Sequence, residues 1–309
     1  MAIAVPVADL RAQPHTIVQR SSAHPADGTP VGPPHDPLQE TQLLYGEQVR
    51  LLSHADGWAY VEALEQPEFT HAKRWQGYPG WLPRSALLRW EPLLAPTVVV
   101  TEKWAAAWQD AYGLHPSPWR FALGTHLLAT DMGGQLWKVE LWDGATVWMP
   151  RQAARPLEEL RRLSSTQKRR LILRSAELMV GDVYFWGGRS PAANGDETQT
   201  GVDCSGLVNL AYRAAGIDIP RDAHEQFLRA RPVNALQPGD LIFLSERANP
   251  RAVVHVMLYA GDGAVIEGPG TGLTVRRLPI AQRLGHDADS LAPGTVVEGQ
   301  TVSFGTYLP

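Results

Sequence analysis

The chain has a single cysteine, Cys204, among its 309 residues. One cysteine cannot form an internal disulfide, so covalent cross-links do not stabilise this fold. Neither sign of charge is in large excess. The 28 Lys and Arg residues nearly balance the 32 Asp and Glu residues and leave a formal net charge of −4. This balance gives no reason to expect a nucleic-acid partner held by bulk electrostatics.

Long apolar runs are missing as well. No segment approaches 18 uninterrupted apolar residues, so we expect no membrane span and no membrane partner. The first residues, MAIAVPVADLRAQPHT, lack a basic segment, and Pro6 and Asp9 interrupt their apolar run. That pattern does not resemble a secretory signal, and it predicts a cytoplasmic protein. The sequence indicates no obligate protein partner.

The residues that are present predict a globular protein with two or three domains, since the composition is 44% apolar and 19% charged. Ten of the eleven tryptophans precede residue 150, among short β-like runs. These runs predict one small β-barrel in residues 1–92, with a hairpin at Asp56-Gly57, and a second in residues 93–160. Residues 22–38, rich in Pro and Gly, are expected to form a long loop.

After residue 160 the pattern changes to helices followed by strands, which indicates an α+β domain over residues 161–309. Ser164 and Gln167 have the spacing of a capping box. A helical face is predicted for four residues of the helix that follows, namely Ile172, Ala176, Met179 and Val180. A second helix begins near Cys204, buries one side and stops near Gly216. Short alternating runs then predict an antiparallel sheet.

Cys204 falls at the first turn of this second helix. A helix N-terminus favours thiolate over thiol through its free N–H groups and partial positive charge. His255, on a predicted strand, is the candidate base, and Glu267 lies on the next strand after the Gly261-Asp262-Gly263 turn. A hairpin would bring the two side chains together, so Glu267 is expected to orient the imidazole.

Each residue alone has a plainer interpretation. A lone cysteine is most often an inert small apolar residue, a lone histidine is most often structural, and Glu267 alone fits a strand surface. The three occur, however, in the order and contexts that one nucleophilic mechanism requires. We therefore favour a cysteine nucleophile.

The stretch GVDCSGLVNLAYRAAGIDIPRDAHEQ, with YFWGG before it and LQPGDLIFLS and VVHVMLYAGDGAVIEG after it, resembles the NlpC-type, papain-like cysteine peptidases. The two preceding regions resemble bacterial SH3-like barrels. The whole architecture is similar to the γ-D-glutamyl-L-diamino acid endopeptidases, which process murein peptides. The resemblance implies that Cys204 is the nucleophile, His255 the base and Tyr184 an oxyanion donor. Glu267 takes the third position, where the family usually has histidine.

The same resemblance implies a pocket for a free N-terminal L-alanine. It assigns the ammonium group to Asp203, Ser205 and Asp222, with an ordinary helix-capping role as the other interpretation of Asp222. Tyr78 from the first barrel would close the cleft, and Glu47 would join it. Residues 189–200 lengthen the family's loop and are expected to form a surface excursion. No metal and no organic cofactor is implied.

The resemblance thus implies hydrolysis of the γ-D-glutamyl–diamino acid bond in murein-derived peptides, with diaminopimelate or lysine as the third residue, and we expect a role in the recycling of cell-wall peptides. Two other functions stay open. One is a cell-wall-binding protein whose peptidase domain is inert, and the other is an amidase or acyltransferase on the same fold. The amine pocket distinguishes them, because acyl transfer has no need for acids at that place.

Overall fold

The computed structural model describes residues 1–17, 35–89, 95–193 and 199–309. The loop predicted at 22–38 lies outside the described residues except for its last four. Strand pairing among the described residues stays within three groups, covering residues 2–88, 98–156 and 183–306. No helix in these ranges is long and apolar enough to cross a membrane. The domain boundaries at 92/93 and 160/161 stay predictions.

The first group is antiparallel and holds seven strands: β1 (Ala2–Ile3), β2 (Val7–Arg11), β3 (Gln39–Leu44), β4 (Val49–Ala55), β5 (Trp58–Glu68), β6 (Gln76–Pro83) and β7 (Leu87–Leu88). Five of them form a sheet in the order β3-β2-β6-β5-β4, and β1 pairs with β7. The predicted hairpin is confirmed: Asp56 and Gly57 join β4 to β5 with φ values of 46° and 82°. Two positive φ angles are what a two-residue hairpin turn of this twist requires.

The second group is also antiparallel: β8 (Val98–Val100), β9 (Trp104–Trp108), β10 (Pro116–Ala122), β11 (His126–Asp131), β12 (Leu136–Glu140), β13 (Thr146–Pro150) and β14 (Ala154–Pro156). Its order is β10-β9-β13-β12-β11-β8-β14. Both groups end alike, with a strand ending in proline, one 3₁₀ turn and a short last strand. The strand pairings describe antiparallel sheets, and closure of either sheet into an SH3-like barrel stays a prediction.

The third group is α+β, as predicted. Its helices are α1 (Leu157–Arg162), α2 (Ser165–Glu177), α3 (Cys204–Ala214), α4 (Ala223–Arg229) and α5 (Ile280–Leu284). Its strands are β15 (Arg189–Ser190), β16 (Gly201–Val202), β17 (Arg231–Pro232), β18 (Leu241–Glu246), β19 (Asn249–Gly261), β20 (Ala264–Glu267), β21 (Arg276–Pro279), β22 (Val296–Val297) and β23 (Gln300–Thr306). The main antiparallel sheet has the order β17-β23-β18-β19-β20-β21, and helices α3 and α4 pack on β19.

The helix signals in the sequence have mixed outcomes. Ser164 and Gln167 form the predicted capping box at the start of α2. The prediction that Val180 joins the buried face is wrong: α2 ends at Glu177, and Val180 is 38% exposed in the turn that follows. The apolar side predicted for α3, which includes Leu207, Leu210 and Ala211, is buried as predicted. The other residues of α3 are buried as well, because α2 and residues of the first two regions pack against the helix in addition to β19.

The hydrophobic core of the third region extends into the other two. Its largest cluster includes Val7 and Leu44 from the first region and Ala122 and Leu123 from the second. Burial of shared apolar surface therefore holds the three regions together.

Buried ion pairs cross the same junction. Arg189 of β15 contacts Glu47 of the first region at 2.7 Å, and both side chains are buried. Arg213 of α3 donates to Glu65 at 2.5 Å and to the carbonyl of Gly124 at 2.9 Å, so one guanidinium joins all three regions. A buried charge needs such partners, because desolvation without them is costly.

The surface excursion predicted for residues 189–200 is not what the described part of that segment forms. Arg189, Ser190, Pro191 and Thr200 are buried, and Ser190 donates to Gln42 of β3 at 2.7 Å. Pairing of β15 with β16 turns this part of the segment inward against the first region. Residues 194–198 lie outside the described residues.

Replacing Glu47 with glutamine is expected to lower the free energy of unfolding by about 3–5 kcal/mol, since the buried guanidinium of Arg189 loses its carboxylate. Urea denaturation measures the change. Glu158→Gln is the matched control, because Glu158 and its partner Arg162 are both exposed and their pair contributes about 1 kcal/mol at most. Equal stabilities of the two variants would contradict a stabilising role for the junction.

Candidate active site

Cys204 is the first residue of α3, as its position in the sequence predicts. Asp203 caps the helix and accepts from the backbone N–H of Gly206 at 2.7 Å. The glycine is required there, because a Cβ on Gly206 would come within 2.2 Å of the carbonyl oxygen of Gly188. The DCSG motif therefore encodes a capped helix start with Cys204 in its first turn. The sulfur lies at a helix end that favours a negative charge.

His255 and Glu267 meet across the hairpin formed by β19 and β20, as their spacing predicts. The register places Leu258 opposite Ile266 and sets the two polar residues diagonally on one face. The Nε2 atom of His255 lies 2.7 Å from Oε2 of Glu267. Because Glu267 contacts Nε2, Nδ1 is the ring nitrogen left for other partners.

Two arginines that the sequence analysis missed hold Glu267 from the other side. Arg276 of β21 donates to Oε1 through Nε at 3.0 Å and Nη2 at 2.7 Å. The Nε atom of Arg283 in α5 lies 3.0 Å from both carboxylate oxygens. Glu267 is fully buried, so these contacts satisfy a carboxylate that has no access to water.

The contacts around His255 favour its charged form. Burial lowers the pKa of His255, but its interactions with Cys204 and Glu267 outweigh burial and raise the pKa to about 9. Burial likewise raises the pKa of Glu267, yet the imidazole and the two arginines lower it to about 2. A neighbouring carboxylate stabilises imidazolium in this way. The geometry supplies an imidazole beside the only cysteine, with its orientation fixed.

Tyr184 lies close to the nucleophile. Burial raises the pKa of Tyr184 far above its ordinary value, and the nearby Cys204 and Asp203 add to the effect. The hydroxyl group has no hydrogen-bond partner among the described residues, and Tyr184 lines the same cleft as Cys204. Tyr184 therefore has a free O–H donor beside the sulfur.

Asp203 and Ser205 are tied to a buried arginine. Arg221 donates to both oxygens of Asp203, at 3.0 and 2.7 Å, and to the hydroxyl of Ser205 at 2.8 Å. Asp203 also accepts from the backbone N–H of Gly187 at 3.0 Å. Arg221 reaches Thr41 of the first region at 2.8 Å. Both predicted pocket residues therefore already bind strong donors inside the protein.

Asp222 is placed differently. It occupies the residue before α4, yet its side chain makes no capping hydrogen bond. Its Oδ2 atom instead lies 3.0 Å from the hydroxyl of Tyr78, and Oε2 of Glu40 lies 3.3 Å from the same hydroxyl. Burial raises the pKa of Asp222 to about 7, although the neighbouring Arg221 lowers it. Glu40 and Asp222 thus share one phenolic proton.

Glu47 does not reach this place. Its carboxylate contacts Arg189 and Gln66 in the junction between regions and does not line the cleft, so the expectation that it joins the amine pocket is wrong in geometry. The acid that the first region contributes to the cleft is Glu40, which the sequence analysis missed. The alternation along β3 shows that Glu40 and Gln42 share a face, but no local signal tells which acid meets the cleft.

A cleft of about 610 Å³ joins these groups. The third region lines it with Tyr184, Cys204, Asp222, His255 and Arg283, and the first region lines one end with Gln39, Glu40, Thr70, His71 and Tyr78. Nε2 of His71 lies 3.6 Å from Glu40 and its Nδ1 lies 3.1 Å from Glu68, and these two carboxylates raise the pKa of His71 to about 9 against the effect of burial. The cleft is therefore completed by a region other than the one that carries the cysteine.

Comparison with known proteins agrees with this geometry. Residues 181–284 match the profile of the NlpC/P60 family. The chain is 28% identical over 251 residues to a gamma-D-glutamyl-L-lysine dipeptidyl-peptidase of Bacillus subtilis, covering 81% of this chain and 78% of the relative. A protein of the same description from Bacillus cereus is 28% identical over 78% of this chain and 70% of its own. The crystal structure of an NlpC/P60 family protein from Bacillus cereus aligns over 100% of this chain and 99% of its own, with a TM-score of 0.74 and 25% identity.

We expect Glu267→Gln to lower the midpoint of the His255 titration from about 9 by about one to three pH units, because a neutral amide no longer stabilises imidazolium. Nitrogen-edited NMR of the imidazole follows this titration. Glu177→Gln removes the exposed partner of Arg277 and should leave the midpoint in place. An unshifted midpoint in folded Glu267→Gln protein would mean that Glu267 does not set the charge of His255.

Proposed function

Because the chain belongs to the NlpC/P60 family of peptidoglycan-hydrolysing cysteine peptidases, we propose that it cleaves the bond between γ-D-glutamate and a diamino acid in murein peptides that begin with a free L-alanine. One observation carries the substrate assignment. The cleft that holds Cys204 also holds Glu40 and Asp222, two carboxylates around one tyrosine hydroxyl.

The chemistry begins at the sulfur. At neutral pH His255 is already the imidazolium that Glu267 favours, so its Nδ1 holds the proton of the thiol and the thiolate of Cys204 attacks the γ-carbonyl carbon of D-glutamate. The oxyanion that forms accepts hydrogen bonds from the hydroxyl of Tyr184 and the backbone N–H of Cys204, which has no partner inside the helix. The imidazolium then protonates the leaving amine of the diamino acid. Water deprotonated by His255 attacks the thioester and releases L-Ala-γ-D-Glu.

The acid pair supports recognition of the substrate's ammonium group. The hydroxyl of Tyr78 has one proton and can satisfy only one of its two carboxylate neighbours at a time. Glu40 and Asp222 therefore keep unused acceptor capacity at the cleft end. An ammonium group carries three donors and a positive charge, and it matches this site.

Asp203 and Ser205 have a different place in this proposal. Their oxygen atoms already contact Arg221, so we assign them the positioning of the pocket and of the helix start. Direct contact with the ammonium falls to Glu40 and Asp222. This assignment fits a pocket built by two regions of the chain.

The same pocket favours hydrolysis of small free peptides over the alternatives. An inert wall-binding protein has no need for a cysteine beside a buried, oriented imidazole, and an acyltransferase has no need for the acid pair. The first region closes one end of the cleft, which suits short peptides with a free end. Recycling of such peptides in the cytoplasm is the physiological role that we propose.

The peptide L-Ala-γ-D-Glu-L-Lys, or its diaminopimelate counterpart, is expected to be cleaved at the γ-glutamyl bond at least about 100-fold faster than its N-acetylated form. Losing a charge-assisted hydrogen bond costs about 1.5–3 kcal/mol, and the acetyl group removes several. Mass spectrometry identifies the products, and Cys204→Ala should give none. Equal rates for the free and acetylated peptides would exclude an amine pocket.

When kcat/KM for the free peptide is measured as a function of pH, we expect it to fall on the acid side, in a limb with a midpoint near pH 7. Below that pH Asp222 takes up a proton and loses the charge that holds the ammonium, whereas His255 stays charged up to about pH 9. Asp222→Asn should abolish this limb and raise KM. Asp218→Asn, which removes an exposed partner of Arg213, should keep it. A limb near pH 7 that survives in Asp222→Asn would assign it to another group.

A further inference from the structure

Arg283 differs from Arg276, the other arginine that binds Glu267, in the nitrogen atoms that it leaves available to a ligand. Its Nε atom contacts both oxygens of the buried carboxylate. Its Nη1 and Nη2 atoms have no hydrogen-bond partner among the described residues, although the side chain is only 24% exposed. Arg283 lines the cleft, while Arg276, 41% exposed, does not. Two charged donors therefore stand in the cleft without a protein acceptor.

The charges along the cleft have a definite order. Contacts lead from the acid pair through Asp222, Arg221 and Asp203 to the cysteine, at 3.5 Å for the first ion pair and 2.7 Å for the second. His255 follows the cysteine, and Glu267 with its two arginines lies behind the far ring nitrogen. Arg283 is the only arginine or lysine among the described residues that line the cleft. In this order of contacts the acid pair, beside which His71 also lines the cleft, lies on one side of the nucleophile and Arg283 on the other.

We propose that Arg283 binds the free α-carboxylate of the residue that leaves, and so restricts the enzyme to peptides that end one residue after the scissile bond. This inference rests on the proposed function, which places the ammonium end of the substrate at Glu40 and Asp222. A peptide bound there directs its leaving residue toward His255, which donates the proton to the departing amine. The α-carboxylate of that residue is one carbon away from the amine and on the side of Arg283.

The chemistry of the two groups matches. A guanidinium has five donors in a planar fork and binds carboxylates with paired hydrogen bonds. Nε of Arg283 is used by Glu267, which fixes the orientation of the fork, and the two terminal nitrogens remain for the ligand. In a longer stem peptide the α-carboxyl carbon belongs to an amide, which carries no charge. Longer peptides therefore lose this contact, and tripeptides keep it.

The experiment compares L-Ala-γ-D-Glu-L-Lys as the free acid with the same peptide as its C-terminal amide. Wild-type enzyme is expected to cleave the acid with a kcat/KM about 10- to 100-fold higher. Arg283→Gln should reduce this ratio to near one, chiefly by raising KM for the acid. Arg276→Gln is the matched control, because it also removes a guanidinium from Glu267 but lies outside the cleft, and its ratio should stay at the wild-type value.

Three outcomes would overturn the proposal: a wild-type ratio near one, an unchanged ratio in Arg283→Gln, or an equal fall of the ratio in Arg276→Gln. If Arg283→Gln does not fold, Arg283→Lys gives the second test, since it keeps the charge without the fork and should show an intermediate ratio. The amide substrate separates this inference from the proposed function. Cleavage of both peptides at equal rates removes only the role of Arg283, whereas cleavage of neither removes the proposed function itself.

Discussion

The buried ion pair between Asp203 and Arg221 sets the position of the reactive sulfur. Asp203 caps the helix that begins with Cys204, and Arg221 binds both its oxygens while also reaching Thr41 of the first region. The guanidinium of Arg221 thus makes hydrogen bonds to the helix start, to the neighbouring serine hydroxyl and to a strand of another region. Because unpaired buried charges are costly, these partners cannot separate independently. The cleft keeps its shape through this constraint.

Pairing with two arginines explains why a glutamate can occupy the position behind the imidazole of His255. A carboxylate shielded from water would tend to take up a proton, and Glu267 is fully buried. Arg276 and Arg283 supply the opposing charge and keep it ionised. The ionised carboxylate lies 2.7 Å from Nε2 of His255. The third position is therefore a carboxylate held by three side chains, and the two arginines that keep it ionised come from outside the hairpin.

Patterns among residues that are close in sequence predicted much of the fold and of the nucleophilic centre. The capped start at Cys204 and the hairpin that joins His255 to Glu267 depend on residues near in sequence, so spacing alone predicts them. Spacing does not show which distant groups meet. Glu40 reaches the cleft from a strand more than 180 residues before Asp222 in the chain, and Arg283 reaches Glu267 from a helix beyond the next strand. Tertiary packing decides both contacts, which is why the sequence suggested Glu47 instead.

The cleft is divided between regions in a way that separates two tasks. In the proposed mechanism bond breaking depends on α3, β19 and β20, whereas Tyr78 on β6 and Glu40 on β3 line the far end of the cleft. Substitutions in those two strands can change which peptides enter while the nucleophile and its base stay intact. The substrate specificity of such an enzyme can therefore change through strands that carry no catalytic residue.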